Sequence, residues 1–112
     1  MANATLPARE RGVCTPAKLL LKASKADDVA AVLRALGDPT RLQIALLLRD
    51  SDDAVCICDL VATFELSQPT LSHHMAKLRE AGLVESTKAG IWSYYRLVRD
   101  LAPGTQRVLA AL

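Results

Sequence analysis

The segment from residue 59 to residue 81 restricts the folds open to this chain more than any other. Its pattern predicts a short helix running to about Phe64, a turn over residues 65–67 and a second helix over about 68–81. Ser67 offers the hydroxyl of an N-cap directly before the second helix. Two short helices joined by a tight turn indicate a helix-turn-helix, whose second helix can enter the major groove of DNA.

The residues after this segment predict a small sheet. Leu83–Thr87 and Ile91–Val98 have the composition of two strands, and residues 88–90 would form the turn between them. Within the second helix, apolar residues recur at helical spacing and are expected to face the core; they are Leu71, Met75 and Leu78. The predicted fold class is mainly α with a small β-hairpin, which is a winged helix-turn-helix.

Two further helices are predicted upstream. Residues 24–27 have the sequence of a helix cap, and Gly37 is placed to end the helix that follows. Asp38 and Pro39 then predict the start of another helix. Residues 42–48 of that helix are apolar nearly all round, so we expect it at the centre of the core.

The ends of the chain are predicted to hold two subunits together. Residues 1–15 have the character of a flexible arm that carries Cys14, and residues 16–112 form the winged domain with its terminal helices. We expect a short helix from Pro16 to about Ala23 and a last apolar helix over residues 101–112. The terminal helices have too little core to cover both of their faces, which predicts a two-fold homodimer.

Composition sets the broad class. The chain has 112 residues, about half of them apolar and few of them aromatic, enough for one domain packed largely by Leu, Ala, Val and Ile. It has neither the run of about 18 apolar residues that a membrane span needs nor the apolar stretch of a signal peptide. We therefore expect a cytoplasmic protein with no membrane partner. Three cysteines, an odd number, argue against a disulfide framework.

The start of the second helix of the motif carries the predicted DNA contacts. Gln68, Thr70, Ser72 and His73 are short or planar hydrogen-bonding residues, suited to base edges and phosphates in operator double-stranded DNA. Lys88, at the expected hairpin tip, could reach an adjacent phosphate or the minor groove. The neighbouring His74 is expected to be a structural residue at the helix packing surface, because adjacent helical residues point about 100° apart.

Charged residues are distributed unevenly. Acidic residues are concentrated in the loop 50–53. Basic residues recur later and could form a basic face or a merely solvated surface; they are Lys77, Arg79, Lys88, Arg96 and Arg99.

The three cysteines predict a soft-ion site. Cys56 and Cys58 form a Cys-Ile-Cys triplet just before the helix-turn-helix, and Cys14 lies in the arm. Two residues apart inside a regular α-helix lie about 200° apart, so the pair can share an ion only if Cys56 is an N-cap or lies outside the helix. Thiolates select soft ions, and the helix start is expected to favour the thiolate form at neutral pH.

Four stretches together resemble the ArsR/SmtB family of metal- and metalloid-responsive repressors, and are most like its arsenical-resistance operon repressors. They are Leu36-Gly-Asp-Pro-Thr-Arg-Leu42, Cys56-Ile-Cys-Asp-Leu60, Leu66-Ser-Gln-Pro-Thr-Leu-Ser-His-His74 and Leu78-Arg-Glu-Ala-Gly-Leu-Val84. The resemblance covers about residues 27–98. It implies a homodimer that represses a resistance operon until an inducer binds.

The resemblance also bears on the identity of the inducer. Arsenic-responsive members often carry a further cysteine three residues after the second of the pair, where this chain has Val61. Cadmium- and lead-responsive members add cysteines from the arm of the other subunit, an arrangement that Cys14 fits. Three thiolates suit As(III) or Sb(III) as inducer, with Cd(II) or Pb(II) as the alternative.

The cysteines and histidines also bear on other functions. A thiol-based redox repressor, with Cys14 in a disulfide to Cys56 or Cys58, stays open. A zinc site on the last helix is not expected, because no histidine follows His74. An enzyme is not expected either, because thiol reductases use Cys-x-x-Cys on a βαβ unit and the chain has neither.

Overall fold

The computed structural model describes residues 12–112, and the predicted arm is therefore described only from residue 12. The elements in chain order are α1 (Ala23–Leu36), α2 (Pro39–Arg49), β1 (Val55–Cys56), α3 (Ile57–Phe64), α4 (Gln68–Glu80), β2 (Val84–Ala89), β3 (Trp92–Leu97) and α5 (Pro103–Ala110). The strands form one antiparallel sheet in the order β1-β3-β2. Mainly helical, with a hairpin after the α3–α4 pair, this is the predicted winged helix-turn-helix.

The N-terminal segment differs from the prediction. Residues 13–22 contain no helix, so the helix expected from Pro16 to about Ala23 is wrong. α1 begins at Ala23 with Lys22 as N-cap and no capping side chain, so residues 24–27 lie inside the helix instead of capping it. A short helix is marginal in water unless its apolar face packs against something. The apolar side chains of this segment do not pack against the rest of the chain, since Leu19 and Leu20 are 85% and 96% exposed.

The predicted core is confirmed. α2 supplies Ile44, Ala45 and Leu48, all of them buried. α4 buries Leu71, Met75 and Leu78 against them, together with residues of α3 and of the sheet. Leu42, Leu46 and Leu47 of α2 are half-buried and pack against this core, whereas Gln43 is exposed.

Local caps fix where the central helices begin. The Asp38 carboxylate accepts a hydrogen bond from the backbone N–H of Arg41 at 3.0 Å, and Pro39 follows it at the first helical position. Gly37 is the C-cap of α1, as predicted. Both features lie within four residues of the helix end they control, which is why the sequence could specify them.

The hairpin is longer than predicted on one side. β2 continues through Lys88 to Ala89, which pairs with Trp92, so the turn consists of Gly90 and Ile91. Lys88 therefore lies opposite Ser93 within the hairpin and not at its tip, because the strand pairing extends two residues further than its composition indicated.

The last helix is tied to the core. Predicted over 101–112, it spans Pro103–Ala110. Leu109 is buried, and its carbonyl accepts a hydrogen bond of 2.6 Å from the Arg49 guanidinium at the end of α2. Among residues 12–112, no helix is long and apolar enough to cross a membrane.

Candidate thiol and nucleic-acid sites

The geometry of the helix-turn-helix is set by its turn and its cap. Glu65 adopts the left-handed conformation (φ 54°) at the end of α3, which turns the chain sharply before α4. The Ser67 hydroxyl oxygen accepts a hydrogen bond from the Thr70 backbone N–H at 3.3 Å, which is the predicted cap. The Ser67 hydroxyl also donates to the Thr70 hydroxyl oxygen at 2.9 Å. The start of α4 is therefore fixed by Ser67.

The side chains predicted to contact DNA lie on the side of α4 away from the core. Gln68, Thr70 and His73 are exposed and Ser72 is half-buried. The Thr70 hydroxyl accepts from Ser67, which leaves its own proton free to donate outward. Together these residues offer donors and acceptors along the first two turns of α4. Their contact with DNA stays a prediction.

His74 packs as predicted. Its side chain is 16% exposed, and its Nδ1 atom lies 3.4 Å from the Arg41 guanidinium and 3.9 Å from the Asp38 carboxylate. Arg41 lowers the pKa of the Asp38 carboxyl, first through its backbone N–H and then through its charge, and His74 adds to the effect. His74 therefore joins α4 to the start of α2.

Sequence reasoning missed the role of Arg41. Its Nε atom donates to the Ala35 carbonyl at 2.7 Å and its guanidinium to the Arg34 carbonyl at 3.4 Å, so it satisfies the end of α1. With His74 on its other side, Arg41 connects α1 to α4. No pattern in the sequence signals this connection, because the partners lie six and 33 positions away along the chain.

Two of the basic residues of the C-terminal half are engaged within the protein. Arg96 forms an ion pair with Glu85, directly opposite on β2, with a 2.5 Å separation. Arg79, near the end of α4, donates to the Ser86 hydroxyl on β2 at 3.4 Å. These two arginines therefore hold the hairpin together and fasten it to α4, whereas the exposed Lys88 stays a predicted DNA contact.

The two thiols of the Cys-Ile-Cys triplet lie side by side at the start of α3. Cys56 is the N-cap of α3 in extended conformation (φ −69°, ψ 142°), and Cys58 lies in the first turn. The Cys58 backbone N–H donates to Cys56 Sγ at 3.4 Å, and the two Sγ atoms are 2.9 Å apart. We call these two thiols the sulfur pair. The spacing argument allowed two placements for Cys56, an N-cap or a position outside the helix, and the structure has it as the N-cap.

The protonation of the sulfur pair differs from the expectation. The Cys58 thiol donates to Cys56 Sγ, and this hydrogen bond raises the pKa of Cys58; desolvation and the Asp59 carboxylate, whose Oδ1 atom is 3.9 Å away, act in the same direction. The predicted thiolate at neutral pH is therefore wrong for Cys58. The neighbouring sulfur, desolvation and the Asp59 carboxylate all favour the protonated thiol.

Cys14 is exposed and free in the structure. Among residues 12–112 of a single chain, no three Cys, His, Asp or Glu side chains are grouped closely enough to hold a metal ion. One chain therefore does not unite Cys14 with the sulfur pair. The predicted site shared between two subunits stays a prediction.

The sulfur pair adjoins the hairpin as well as α3. In the ladder, Cys56 of β1 pairs with Tyr94 of β3, which pairs in turn with Thr87 of β2. The strand β1, which the sequence did not predict because it has two residues, makes this connection. Directly paired residues share one face of a sheet, with Cβ atoms about 4.5–5.5 Å apart.

Known proteins resemble this chain in sequence. Residues 38–86 match the family described as "bacterial regulatory protein, arsR family". An uncharacterized HTH-type transcriptional regulator of Methanocaldococcus jannaschii is 40% identical over 76 residues, which are 68% of this chain and 84% of that protein. The chain belongs to the ArsR family.

Other relatives of this ArsR-family chain have names that refer to resistance. The arsenical resistance operon repressor of Escherichia coli is 46% identical over 66 residues, 59% of this chain and 56% of that protein. A cadmium resistance transcriptional regulatory protein CadC homolog of Staphylococcus aureus is 40% identical over 70 residues, 62% of this chain and 57% of that protein. The chain thus spans just over half the length of these two relatives.

A solved structure supports the fold assignment. The homodimeric winged helix-turn-helix DNA-binding domain Mb0332 from Mycobacterium bovis superimposes with a TM-score of 0.68 at 28% identity, covering 87% of this chain and 85% of that domain. Membership in the ArsR family makes this chain a transcriptional regulator and not an enzyme, as its sequence predicted.

Proposed function

We propose that this ArsR-family chain is a DNA-binding repressor of a metalloid-resistance operon that leaves its operator when As(III) or Sb(III) binds Cys14, Cys56 and Cys58. The observation that carries the proposal is the sulfur pair, 2.9 Å apart at the first turn of α3. α3 packs directly against α4, the predicted reading helix. An ion bound there lies next to the DNA-reading element.

The chemistry of the donors favours a soft ion of low coordination number. Thiolates bind As(III), Sb(III), Cd(II) and Pb(II) in preference to hard cations. The sulfur pair supplies two ligands, and the exposed Cys14 of a second subunit would supply the third. Three sulfurs satisfy As(III) or Sb(III), whereas Cd(II) usually takes a fourth ligand. A cytosolic location, where thiols stay reduced, fits such a sensor.

The apolar groove between α1 and α5 supports the homodimer. Its volume is about 320 Å³, and it is lined largely by apolar residues. Leu33 and Val108, one from each wall, are 52% and 39% exposed in the single chain. Covering such a surface with a second copy removes apolar area from water, which stabilises association.

DNA binding is proposed through the outer face of α4. Gln68 can bind adenine through two hydrogen bonds, its amide oxygen accepting one and its amide NH2 donating the other. Thr70, Ser72 and His73 offer single contacts to bases or phosphates. Lys88 on β2 would neutralise a phosphate beside the groove. In a two-fold dimer the two reading helices face half-sites about one helical turn apart.

Ion binding would act on two elements at once. Coordination by both sulfurs would displace the thiol proton that Cys58 now donates to Cys56, at the cap of α3. Cys56 is also paired with Tyr94, so a movement of β1 reaches the hairpin. Release follows if the ion binds better to the chain off DNA than on DNA, because a ligand shifts an equilibrium only by its differential affinity.

The test is an operator-binding titration with the full chain. A duplex selected by the protein from a random pool is bound, and As(III), Sb(III), Cd(II), Pb(II), Zn(II) and peroxide are added separately. We expect release by As(III) and Sb(III), and no release in the matched control that carries Cys56→Ser with Cys58→Ser. Release by Zn(II) alone, or arsenite release that persists in the control, would contradict the proposal.

The redox alternative is separated by counting thiols in the same samples. Arsenite should protect all three thiols, and a competing dithiol should restore them without a reductant for disulfides. Oxidation would instead consume two thiols in one disulfide. A response to peroxide without a response to any metal or metalloid would favour the redox repressor.

A further inference from the structure

The tip of the hairpin is apolar although it projects into solvent. Gly90 has φ +64° and Ile91 does not have a positive φ, and the two residues join the pair Ala89–Trp92. A two-residue turn with Gly first is typical of type II′. Ile91 is 90% exposed and Trp92 is 48% exposed. We call these two residues the wing tip.

The stability of the hairpin does not require apolar side chains at the wing tip. Hairpin turns of this kind usually place Asn, Asp or Ser after the glycine, because these polar side chains are well solvated at an exposed turn. Every other large apolar side chain exposed within residues 12–112 lies before β1 or in and after α5. There a second subunit is proposed to cover many of them. The wing tip belongs to a different element and therefore points to a different partner.

The wing tip is held as one body with the reading helix. The Arg79 guanidinium at the end of α4 donates to Ser86 on β2, and Val84 at the start of β2 is buried in the core. The pair Glu85–Arg96 stiffens the hairpin between these anchors and the tip. A hairpin fixed to a helix in the major groove is carried toward the neighbouring minor groove.

The charges on the hairpin fit a nucleic acid. Lys88 pairs with Ser93, and the next pair toward the turn is Ala89 with Trp92. Because side chains alternate between the faces of a strand, Lys88 and Trp92 lie on opposite faces of the hairpin. The exposed Lys88 can reach a phosphate while the apolar tip lies deeper in the groove. Proteins that enter the minor groove often insert an apolar side chain, isoleucine among them, between base steps and kink the duplex.

We propose that the wing tip enters the operator's minor groove and that Ile91 is an apolar wedge that recognises easily deformed base steps. This inference rests on the proposed DNA binding. A wedge carries no hydrogen-bond code, so its specificity comes from the energy of deformation. Pyrimidine–purine steps such as TA and CA unstack most easily and should be preferred under the tip.

The decisive variant is Ile91→Asn, because a Gly-Asn turn suits the hairpin and the fold should be retained. Against the selected duplex, measured by fluorescence anisotropy with the full chain, we expect roughly tenfold weaker binding, the loss typical of one specific position. DNA bending, followed by energy transfer between dyes at the duplex ends, should decrease. The matched control Ile91→Leu keeps an apolar wedge and should retain affinity and bend.

Salt dependence separates the wedge from a charge effect. Ile91→Asn should leave the slope of log affinity against log salt unchanged, since an apolar contact releases no counterions. Lys88→Gln should reduce that slope by about 1. The preference for TA over an A-tract at the tip position should shrink in Ile91→Asn and persist in Lys88→Gln.

The outcomes distinguish this inference from the proposed function. Wild-type affinity and bend in Ile91→Asn, with His73→Ala weakened, would overturn the wedge and leave the repressor standing. Unchanged DNA binding with an altered oligomeric state in light scattering would make the wing tip a protein contact, which also overturns the wedge. Failure of the wild-type chain to select any duplex would overturn both.

Discussion

Substitutions at Cys56 should separate its role in the fold from its role in sensing. Cys56 is 6% exposed, and its sulfur accepts the Cys58 N–H bond at 3.4 Å as the N-cap of α3. Cys56→Ser keeps an acceptor at the cap, and a hydroxyl accepts more strongly than a thiol does. Cys56→Ala removes the acceptor. Both variants lose the sulfur that is proposed to bind arsenite.

The magnitudes follow from the local structure. Loss of an N-cap costs about 1 kcal/mol of the free energy of unfolding, and loss of one buried heavy atom adds up to about 0.8 kcal/mol. We therefore expect Cys56→Ala to be destabilised by about 1–2 kcal/mol. Cys56→Ser should stay within about 1 kcal/mol of wild type, because its hydroxyl is satisfied by the cap. Cys58→Ala removes an exposed side chain and should change stability by about 0.5 kcal/mol or less.

The assay is urea unfolding at one fixed protomer concentration, because the stability of a dimer depends on concentration. Operator release by arsenite is measured on the same preparations. All three variants should bind DNA without ion and fail to release it with arsenite, whatever their stability. Equal stability of Cys56→Ala and Cys56→Ser would refute the capping role. Normal release in Cys56→Ser would refute the ligand role.

Three further predictions concern other parts of the molecule. Gln68→Ala and His73→Ala should each weaken operator binding by about 1–3 kcal/mol with the dimer intact, and unchanged affinity in both would remove them from the reading surface. A heterodimer of a Cys14→Ser subunit with a subunit whose sulfur pair is replaced by serine should retain one complete arsenite site; detecting no bound arsenite would exclude a site crossed between subunits. Asp38→Ala should cost about 1 kcal/mol at pH 7. The pKa of Asp38 is lowered from 3.8, so its contribution to the free energy of unfolding is present above that pH and disappears below it as the folded carboxylate protonates. Acid titration should therefore reduce the difference in stability between Asp38→Ala and wild type. A difference that stays constant with pH would contradict this account.

Local features of the sequence were sufficient for much of the reading module. The caps at Asp38 and Ser67 and the helical spacing of Leu71, Met75 and Leu78 each depend on residues within a few positions. The spacing of Cys56 and Cys58 left two placements for Cys56 in a shared site, the N-cap of a helix or a position outside it, because residues two apart inside a regular helix lie about 200° apart.

Contacts between residues far apart along the chain could not be predicted from local patterns. The helix expected at Pro16 is absent because no surface of the single chain covers its leucines. Lys88 was placed at the hairpin tip because composition does not fix how far strand pairing continues; the register of β2 and β3 gives that position to Ile91.

The sequence by itself determined the family and the helix-turn-helix, because these depend on residue type and short-range spacing. The tertiary structure alone decided that Arg41 joins α1 to His74 on α4 and that Arg96 faces Glu85. It also decided that Cys58 lies beside a second sulfur and near the Asp59 carboxylate, both of which raise its pKa. These properties are set by distances in space that the order of residues along the chain does not specify.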